Sequence, residues 1–118
     1  MARKITFDTV RKIASSLPGV EVSTSYGSLS LKLGGKLLSC IAINKSAEPN
    51  SLMVRIDMDQ REALLNEAPE TYYITDHYVN YPCVLVRLSR VNPDVLRDLL
   101  HAAWRFTSSN KTRKKKQL

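Results

Sequence analysis

The feature that most constrains the fold of this sequence is a set of alternating segments in its first half, separated by glycine-containing dipeptides. Polar and apolar residues alternate within each segment, which is typical of a half-buried β-strand. The dipeptide Gly34-Gly35 between two such segments is typical of a two-residue hairpin turn, and Tyr26-Gly27 predicts another turn. The pattern therefore predicts an antiparallel meander with strands at residues 20–25, 28–33, 37–44 and 52–56.

Along the sequence, one helix is predicted before this meander and two after it. Their expected positions are residues 6–16, 59–66 and 92–106, and the expected N-caps are Thr6, Asp57 or Asp59, and Asn92. A short strand at 72–75 and a longer one at 83–88 lie between the second and third helices. This order predicts an α+β fold, a two-layer sandwich with an antiparallel sheet and helices on one face.

Strict alternation assigns the strand residues to two faces of the sheet. The core face is expected to carry Leu31, Leu33, Val54, Ile56, Val84, Val86 and Leu88. The opposite face is expected to be open and to carry Lys32, Met53, Arg55, Asp57, Cys83, Leu85 and Arg87. Because it mixes cations with apolar groups, this face is the first candidate interaction surface.

Positive charge is concentrated at the C-terminus. The formal net charge is +7, and five of the 18 Lys and Arg residues lie in the last eight positions. Residues 1–107 are predicted to form a single domain and 108–118 a basic, disordered tail. A nucleic-acid interface is expected to use Lys32, Lys36, Arg55 and Arg87 of the sheet together with Lys114 and Lys115 of the tail.

The segment 75–82, TDHYVNYP, is the second candidate surface. Histidine exchanges protons near neutral pH, and tyrosine offers both a ring and a hydroxyl, so His77, Tyr78 and Tyr81 are candidate ligand-binding residues. Two interpretations stay open: a structural corner in which Pro82 fixes the entry into the last strand, or the wall of a ligand pocket. Catalysis is the least favoured, because the sequence identifies no second group that orients His77.

Motifs for catalysis, metals and cofactors are not found in the sequence. It contains no CxxC, HExxH, P-loop, dinucleotide-binding fingerprint or nucleophile elbow. Cys40 and Cys83 are expected to be small, reduced sheet residues. The N-terminus lacks the apolar stretch of a secretion signal, and residues 37–43 are too few to span a bilayer. We therefore expect a cytoplasmic, non-enzymatic protein without metal, cofactor or membrane partner.

Four stretches resemble the MmcQ/YjbR-like family of small bacterial domains. They are LPGVEVSTSYGSLSLKLGGK (17–36), LMVRID (52–57), YYITDHYVNYPCVLVRL (72–88) and LRDLLHAAWRF (96–106). The resemblance covers nearly all of residues 6–106. It implies a sandwich of the secretion-chaperone-like or double-wing type and the DNA-binding role by which the family is often described.

Two hypotheses of function result. The leading one is a non-enzymatic domain that binds nucleic acid through the basic sheet face and the tail. The alternative is a protein-interaction or small-ligand-binding module that uses the same face or the corner at His77 and Tyr81. An apolar open face favours a protein partner, a continuous positive stripe favours nucleic acid, and a deep pocket at His77 favours a small ligand. The chain is expected to be a monomer or a weak dimer.

Overall fold

A computed structural model describes residues 5–25 and 28–116, with side chains at 5–23 and 28–108. The expected turn at Tyr26-Gly27 lies outside the described residues. In chain order the elements are α1 (Phe7–Ala14), β1 (Val20–Ser25), β2 (Ser28–Leu33), β3 (Lys36–Ile41), β4 (Ser51–Arg55), α2 (Met58–Glu67), β5 (Tyr72–Tyr73), β6 (Cys83–Arg87) and α3 (Pro93–Lys116). This order confirms the predicted α+β fold.

The strands form one sheet in the order β1-β2-β3-β4-β6-β5, and every neighbouring pair is antiparallel. The first four strands make the predicted meander. At the turn between β2 and β3, Gly34 and Gly35 have φ angles of 58° and 80°. Only glycine adopts this left-handed backbone at little cost, which explains why the Gly-Gly pair predicted the hairpin correctly.

The helix starts follow the predicted caps. The Thr6 side chain accepts a hydrogen bond from the backbone N–H of Asp8. The Asp57 carboxylate accepts from Gln60 N at 2.9 Å, so Asp57 rather than Asp59 caps α2. The Asn92 side chain accepts from the backbone N–H at position 95, also at 2.9 Å. Each cap satisfies a backbone donor at the first turn, which no carbonyl of the helix can reach.

Helix α3 is longer than predicted. It continues to Lys116, whereas the sequence pattern predicted an end near Phe106 and disorder from residue 108. No Gly or Pro lies between these positions, and lengthening an existing helix adds one hydrogen bond per residue without a new nucleation step. The expected helix end is therefore corrected. The division into a domain of 1–107 and a basic tail of 108–118 stays a prediction.

The main core lies between one face of the sheet and helices α1 and α3. It contains the predicted residues Leu31, Val54, Ile56, Val84, Val86 and Leu88, together with helix residues such as Val10, Leu96 and Leu100. The exception is Leu33, which is only partly buried at the end of β2. Within the ranges described, no helix combines the length and the apolar character needed to cross a membrane.

The opposite face of the sheet is covered in part, which corrects the expectation of an open face. Met53, Cys83 and Leu85 are at most 2% exposed and form a second core. Tyr73 of β5 packs against them, as do four loop residues: Ile74, Tyr78, Ala42 and Ala47. Alternation correctly predicted that Met53, Cys83 and Leu85 lie together on the face opposite the main core. It does not indicate that two loops fold back across them, because that contact is made between residues distant in sequence.

Candidate functional site

The segment 75–82, called the corner segment below, consists of two successive turns. The backbone N–H of Tyr78 donates to the carbonyl of Thr75 at 2.9 Å, and that of Tyr81 donates to the carbonyl of Tyr78 at 3.0 Å. The Thr75 hydroxyl lies 2.7 Å from the Ser46 hydroxyl, which joins the corner segment to the loop after β3. The corner segment is thereby held over the second core and leads directly into β6.

Arg61 of α2 fixes the other side of the corner segment. Its side chain is buried, and its guanidinium donates to the carbonyl oxygens of Val79, Tyr81 and Cys83 at 2.9, 3.1 and 3.3 Å. Burying a cation is unfavourable unless hydrogen bonds replace the lost water, and these carbonyls supply them to Nη1 and Nη2. Within the described residues, the Nε has no hydrogen bond and lies 3.9 Å from the Glu62 carboxylate. Arg61 was not predicted as a site residue. An arginine in a polar helix gives no signal that distinguishes it from a solvent-exposed one.

A pocket opens between the corner segment and the β3–β4 side of the sheet, and we call it the corner pocket. Its volume is about 600 Å³. Leu37, Cys40, Ile41 and Met53 form an apolar floor, and Asn44, Lys45, His77, Tyr78 and Tyr81 form a polar rim, to which Ile43 adds an exposed apolar side chain. The structure thus brings together the three residues that the sequence singled out in the corner segment. Lys45 and the floor were not predicted as site residues, because only the tertiary fold places them beside His77.

Burial favours the neutral forms of the two cysteines and of Tyr78. Burial raises the pKa of the Cys40 thiol, and burial raises the pKa of Cys83 to about 12. Burial also raises the pKa of the Tyr78 phenol, although the backbone N–H of Asn44 opposes that change. Both cysteines are free, as expected. Because a thiol reacts as the thiolate, neither cysteine is activated as a nucleophile.

Arg87 is engaged within the protein. Its Nε and Nη2 donate to the two carboxylate oxygens of Glu48 at 2.8 and 2.7 Å, and its Nη1 donates to the carbonyls of Pro69 and Glu70. The guanidinium also lies 4.3 Å from the centre of the Tyr73 ring. These bonds lower the pKa of Glu48 and raise that of Arg87, chiefly through the shared hydrogen bonds. Arg87 therefore links the loop that contains Glu48 to the segment that precedes β5.

The other predicted nucleic-acid residues lie in different surroundings. The Arg55 guanidinium lies 5.7 Å from the ring centre of Tyr81 and 6.0 Å from that of Phe106. Lys32 lies directly across from Glu21 in the β1–β2 register. Lys36 lies at the hairpin turn, beside residues 107–108 of α3. Lys114 and Lys115 are on the extension of α3, and their side chains are outside the described part. As placed here, the sheet cations do not form one continuous stripe.

Metal ligation has no preformed site in the part of the chain that the structure describes. No group of three or more His, Cys, Asp or Glu side chains lies close enough together there to hold an ion. Zinc and the hard divalent cations need at least that number of protein ligands for a tight structural site.

The architecture defines a small α+β domain with a single antiparallel sheet, and comparison with known proteins identifies its family. The chain belongs to the YjbR family, whose model matches residues 15–106. This confirms the resemblance found in the sequence. The crystal structure of Deinococcus radiodurans protein DR2400, with the domain DUF419, has the same fold: the TM-score is 0.70 at 21% identity, covering 86% of this chain and 77% of that one.

Mycobacterial relatives extend the comparison. The chain is 31% identical over 113 residues to uncharacterized proteins Mb2600 of Mycobacterium bovis and Rv2570 of Mycobacterium tuberculosis. The matched regions cover 84% of this chain and 85% of each relative. These names describe no activity. Family membership therefore establishes the fold and assigns no activity.

Proposed function

We propose that this protein is a binding domain for a small organic molecule, which it holds in the corner pocket. The observation that carries the proposal is the pocket itself, about 600 Å³ in volume, with an apolar floor and a rim that contains His77, Tyr78 and Tyr81. Pockets that bind small ligands have volumes of roughly 300–1,000 Å³, mostly apolar walls and a few polar groups that orient the ligand. The corner pocket has all of these properties.

Features of the pocket favour binding over catalysis. The Cys40 thiol has a raised pKa, which disfavours the thiolate that a nucleophile requires. His77 meets the Tyr78 ring edge-on, and within the described residues no carboxylate is bonded to it as an orienting group. The Arg61 hydrogen bonds fix the backbone of the pocket wall before any ligand arrives, which lowers the entropic cost of binding.

The test is a fluorescence titration with the neutral probe N-phenyl-1-naphthylamine. Tyr81→Ala removes an aromatic wall of the pocket, and we expect it to weaken binding about fivefold to tenfold. Val79→Ala is the matched control: Val79 and Tyr81 are 37% and 39% exposed in the same segment, and only Tyr81 lines the pocket. Val79→Ala should therefore leave the Kd unchanged.

A second readout locates the probe. Cys40 lines the pocket, and Cys83 is fully buried beneath it. In the folded protein N-ethylmaleimide should modify Cys40 slowly and Cys83 not at all, as determined by peptide mass spectrometry. Bound probe should slow the modification of Cys40. No binding by the wild-type protein, or equal weakening in Tyr81→Ala and Val79→Ala, would contradict the proposed function.

Nucleic-acid binding is the second candidate, and the length of α3 is the observation that favours it. The helix reaches Lys116, so the basic residues from Lys111 onward follow one another along the part of α3 that comes after residues 107–108, which lie beside Lys36. Arg87 is bound by Glu48 and by backbone carbonyls, and Arg55 lies against the rings of Tyr81 and Phe106. This version of the hypothesis therefore uses Lys36 and the helix extension. Such contacts are to phosphates and carry no sequence preference.

The test is fluorescence anisotropy with labelled duplex and single-stranded DNA at several salt concentrations. Replacing both Lys114 and Lys115 by Gln should lower the salt slope by about 0.9 for each duplex phosphate that the protein no longer neutralises. Lys12→Gln on α1 is the control for a general decrease in charge. An unchanged slope in the double variant would exclude these lysines as phosphate ligands.

A further inference from the structure

The rim of the corner pocket has an uneven charge distribution. Lys45 and His77 both line it, and the lining residues that the structure describes include no Asp or Glu. Elsewhere on the same face, Arg87 has Glu48 as its partner, and on α3 Arg97 has Asp94. Within the described residues, Lys45 and His77 have neither a hydrogen bond nor an ion pair. The pocket therefore offers cationic and N–H donor groups beside an apolar floor.

We infer that the corner pocket selects a small amphipathic anion, an organic acid whose apolar body lies on the floor and whose anionic head meets Lys45 and His77. This inference rests on the proposed ligand-binding function and specifies the class of ligand. A charge-assisted hydrogen bond to an acid head is stronger than a neutral one, especially beside an apolar wall that excludes water. The tyrosine hydroxyls at positions 78 and 81 add neutral donors to the same rim.

Other ligand classes fit the pocket less well. A cationic ligand would meet Lys45 with no acidic group in the lining to offset the repulsion. A wholly apolar ligand would pack against the apolar floor, but it would leave the hydrogen-bond donors of the rim without an acceptor. An organic acid satisfies both parts of the lining at once.

Two fluorescent probes that share one ring system test the inference. N-phenyl-1-naphthylamine is neutral, and 8-anilinonaphthalene-1-sulfonate is the same molecule with one anionic group. The full-length wild-type protein should bind the sulfonate about tenfold more tightly than the neutral probe, which is the effect of one charge-assisted contact. A thermal unfolding curve recorded with each sample confirms that the native state is the one titrated.

Lys45→Met keeps the length of the side chain and removes its charge. We expect it to weaken sulfonate binding about tenfold and to leave the Kd of the neutral probe unchanged. Lys12→Met, on the exposed surface of α1, is the matched control and should change neither Kd. His77→Gln retains an N–H donor in a similar position, and it should lose only part of the preference for the sulfonate.

The outcomes distinguish the two proposals. If neither probe binds, the proposed ligand-binding function fails, and this inference fails with it. If the neutral probe binds and Tyr81→Ala weakens it, but the sulfonate has no advantage, the function stands and selection of an anion is wrong. A sulfonate preference reduced equally by Lys45→Met and Lys12→Met would also overturn the inference, because it would reflect the net charge of the protein.

Discussion

Arg61 is a buried residue that holds the corner segment in place through hydrogen bonds. It occupies a helix, yet its hydrogen bonds go to carbonyls of a segment about twenty positions further along the chain. A buried arginine can be replaced by another polar group only if that group reaches the same acceptors. The corner segment, and with it the shape of the pocket wall, therefore depends on one side chain of α2.

Replacing Arg61 by Met should lower the free energy of unfolding by about 3 kcal/mol, because the charge-assisted hydrogen bonds from the guanidinium to the carbonyls of Val79, Tyr81 and Cys83 disappear. Arg97→Met is the matched control. Arg97 is about half exposed and pairs with Asp94, so the expected cost is within about 0.5 kcal/mol. Urea unfolding of both variants measures the difference. Equal costs would show that the Arg61 hydrogen bonds do not hold the corner segment.

The ion pair of Glu48 with Arg87 predicts a pH dependence. The pKa of Glu48 is lowered in the folded protein from its ordinary value of 4.5, so the pair stabilises the protein above that pH. The contribution is lost as the pH falls further, through the lowered pKa of the folded state. Glu48→Gln should therefore be less stable than the wild type at pH 7, and the difference should shrink as the pH falls from 4.5 toward 3.

Urea unfolding of both proteins across this range measures the effect. Because the difference is taken at each pH, the titration of carboxylates common to both proteins, such as Asp8, cancels. A stability difference that stays constant from pH 7 to pH 3 would show that the Glu48 carboxylate is not stabilised by Arg87.

At the scale of elements, the sequence predicts what depends on local chemistry. Asn92 was identified as a cap, Asp57 as one of two candidate caps and Gly34-Gly35 as a turn, because a cap or turn involves residues only a few positions apart. The end of α3 was predicted wrongly because a run of polar residues, with neither Gly nor Pro, is compatible with both a helix and a disordered tail.

Of the corner pocket, only the residues of the corner segment could be predicted from the sequence. His77, Tyr78 and Tyr81 are close in sequence and unusual in type, so they were identified. Lys45 and the floor residues approach them only after the loop following β3 and the corner segment fold over the same face. Alternation within a strand indicates the face of each side chain, and it has no information about the loops that cover it.

Two glycines allow a prediction about the turns. Gly35 has a φ of 80°, and a Cβ atom added there would have no neighbouring atom within 4 Å. Gly19 has a φ of 79°, and a Cβ atom added there would lie 3.2 Å from Leu33 Cδ1. Gly35→Ala should therefore cost about 1 kcal/mol of unfolding free energy, the strain of the left-handed backbone alone. Gly19→Ala should cost more, because contact with Leu33 adds to that strain. Urea midpoints that reverse this order would contradict the prediction.

At the scale of the whole molecule, one sheet separates two cores of unequal size. The main core is covered by α1 and α3, whereas the second core is covered by loops and by the corner segment. Loops bury less apolar surface per residue than helices, so opening of the second face should require less free energy than global unfolding. The corner pocket lies on that less stable face, where a bound ligand can add contacts that the loops lack.

Ligand binding should therefore stabilise the whole protein by mass action. With the 8-anilinonaphthalene-1-sulfonate probe at 100 times its Kd, the free energy of unfolding should rise by about 2.7 kcal/mol, because the unfolded chain has no pocket. At the same probe concentration, a tenfold weaker Kd in Tyr81→Ala should reduce this gain by about 1.3 kcal/mol. Val79→Ala should behave as the wild type. Urea unfolding with and without the probe measures each gain. Saturable fluorescence without any gain in stability would show that the probe binds the unfolded chain equally well, and the corner pocket would then not be its site.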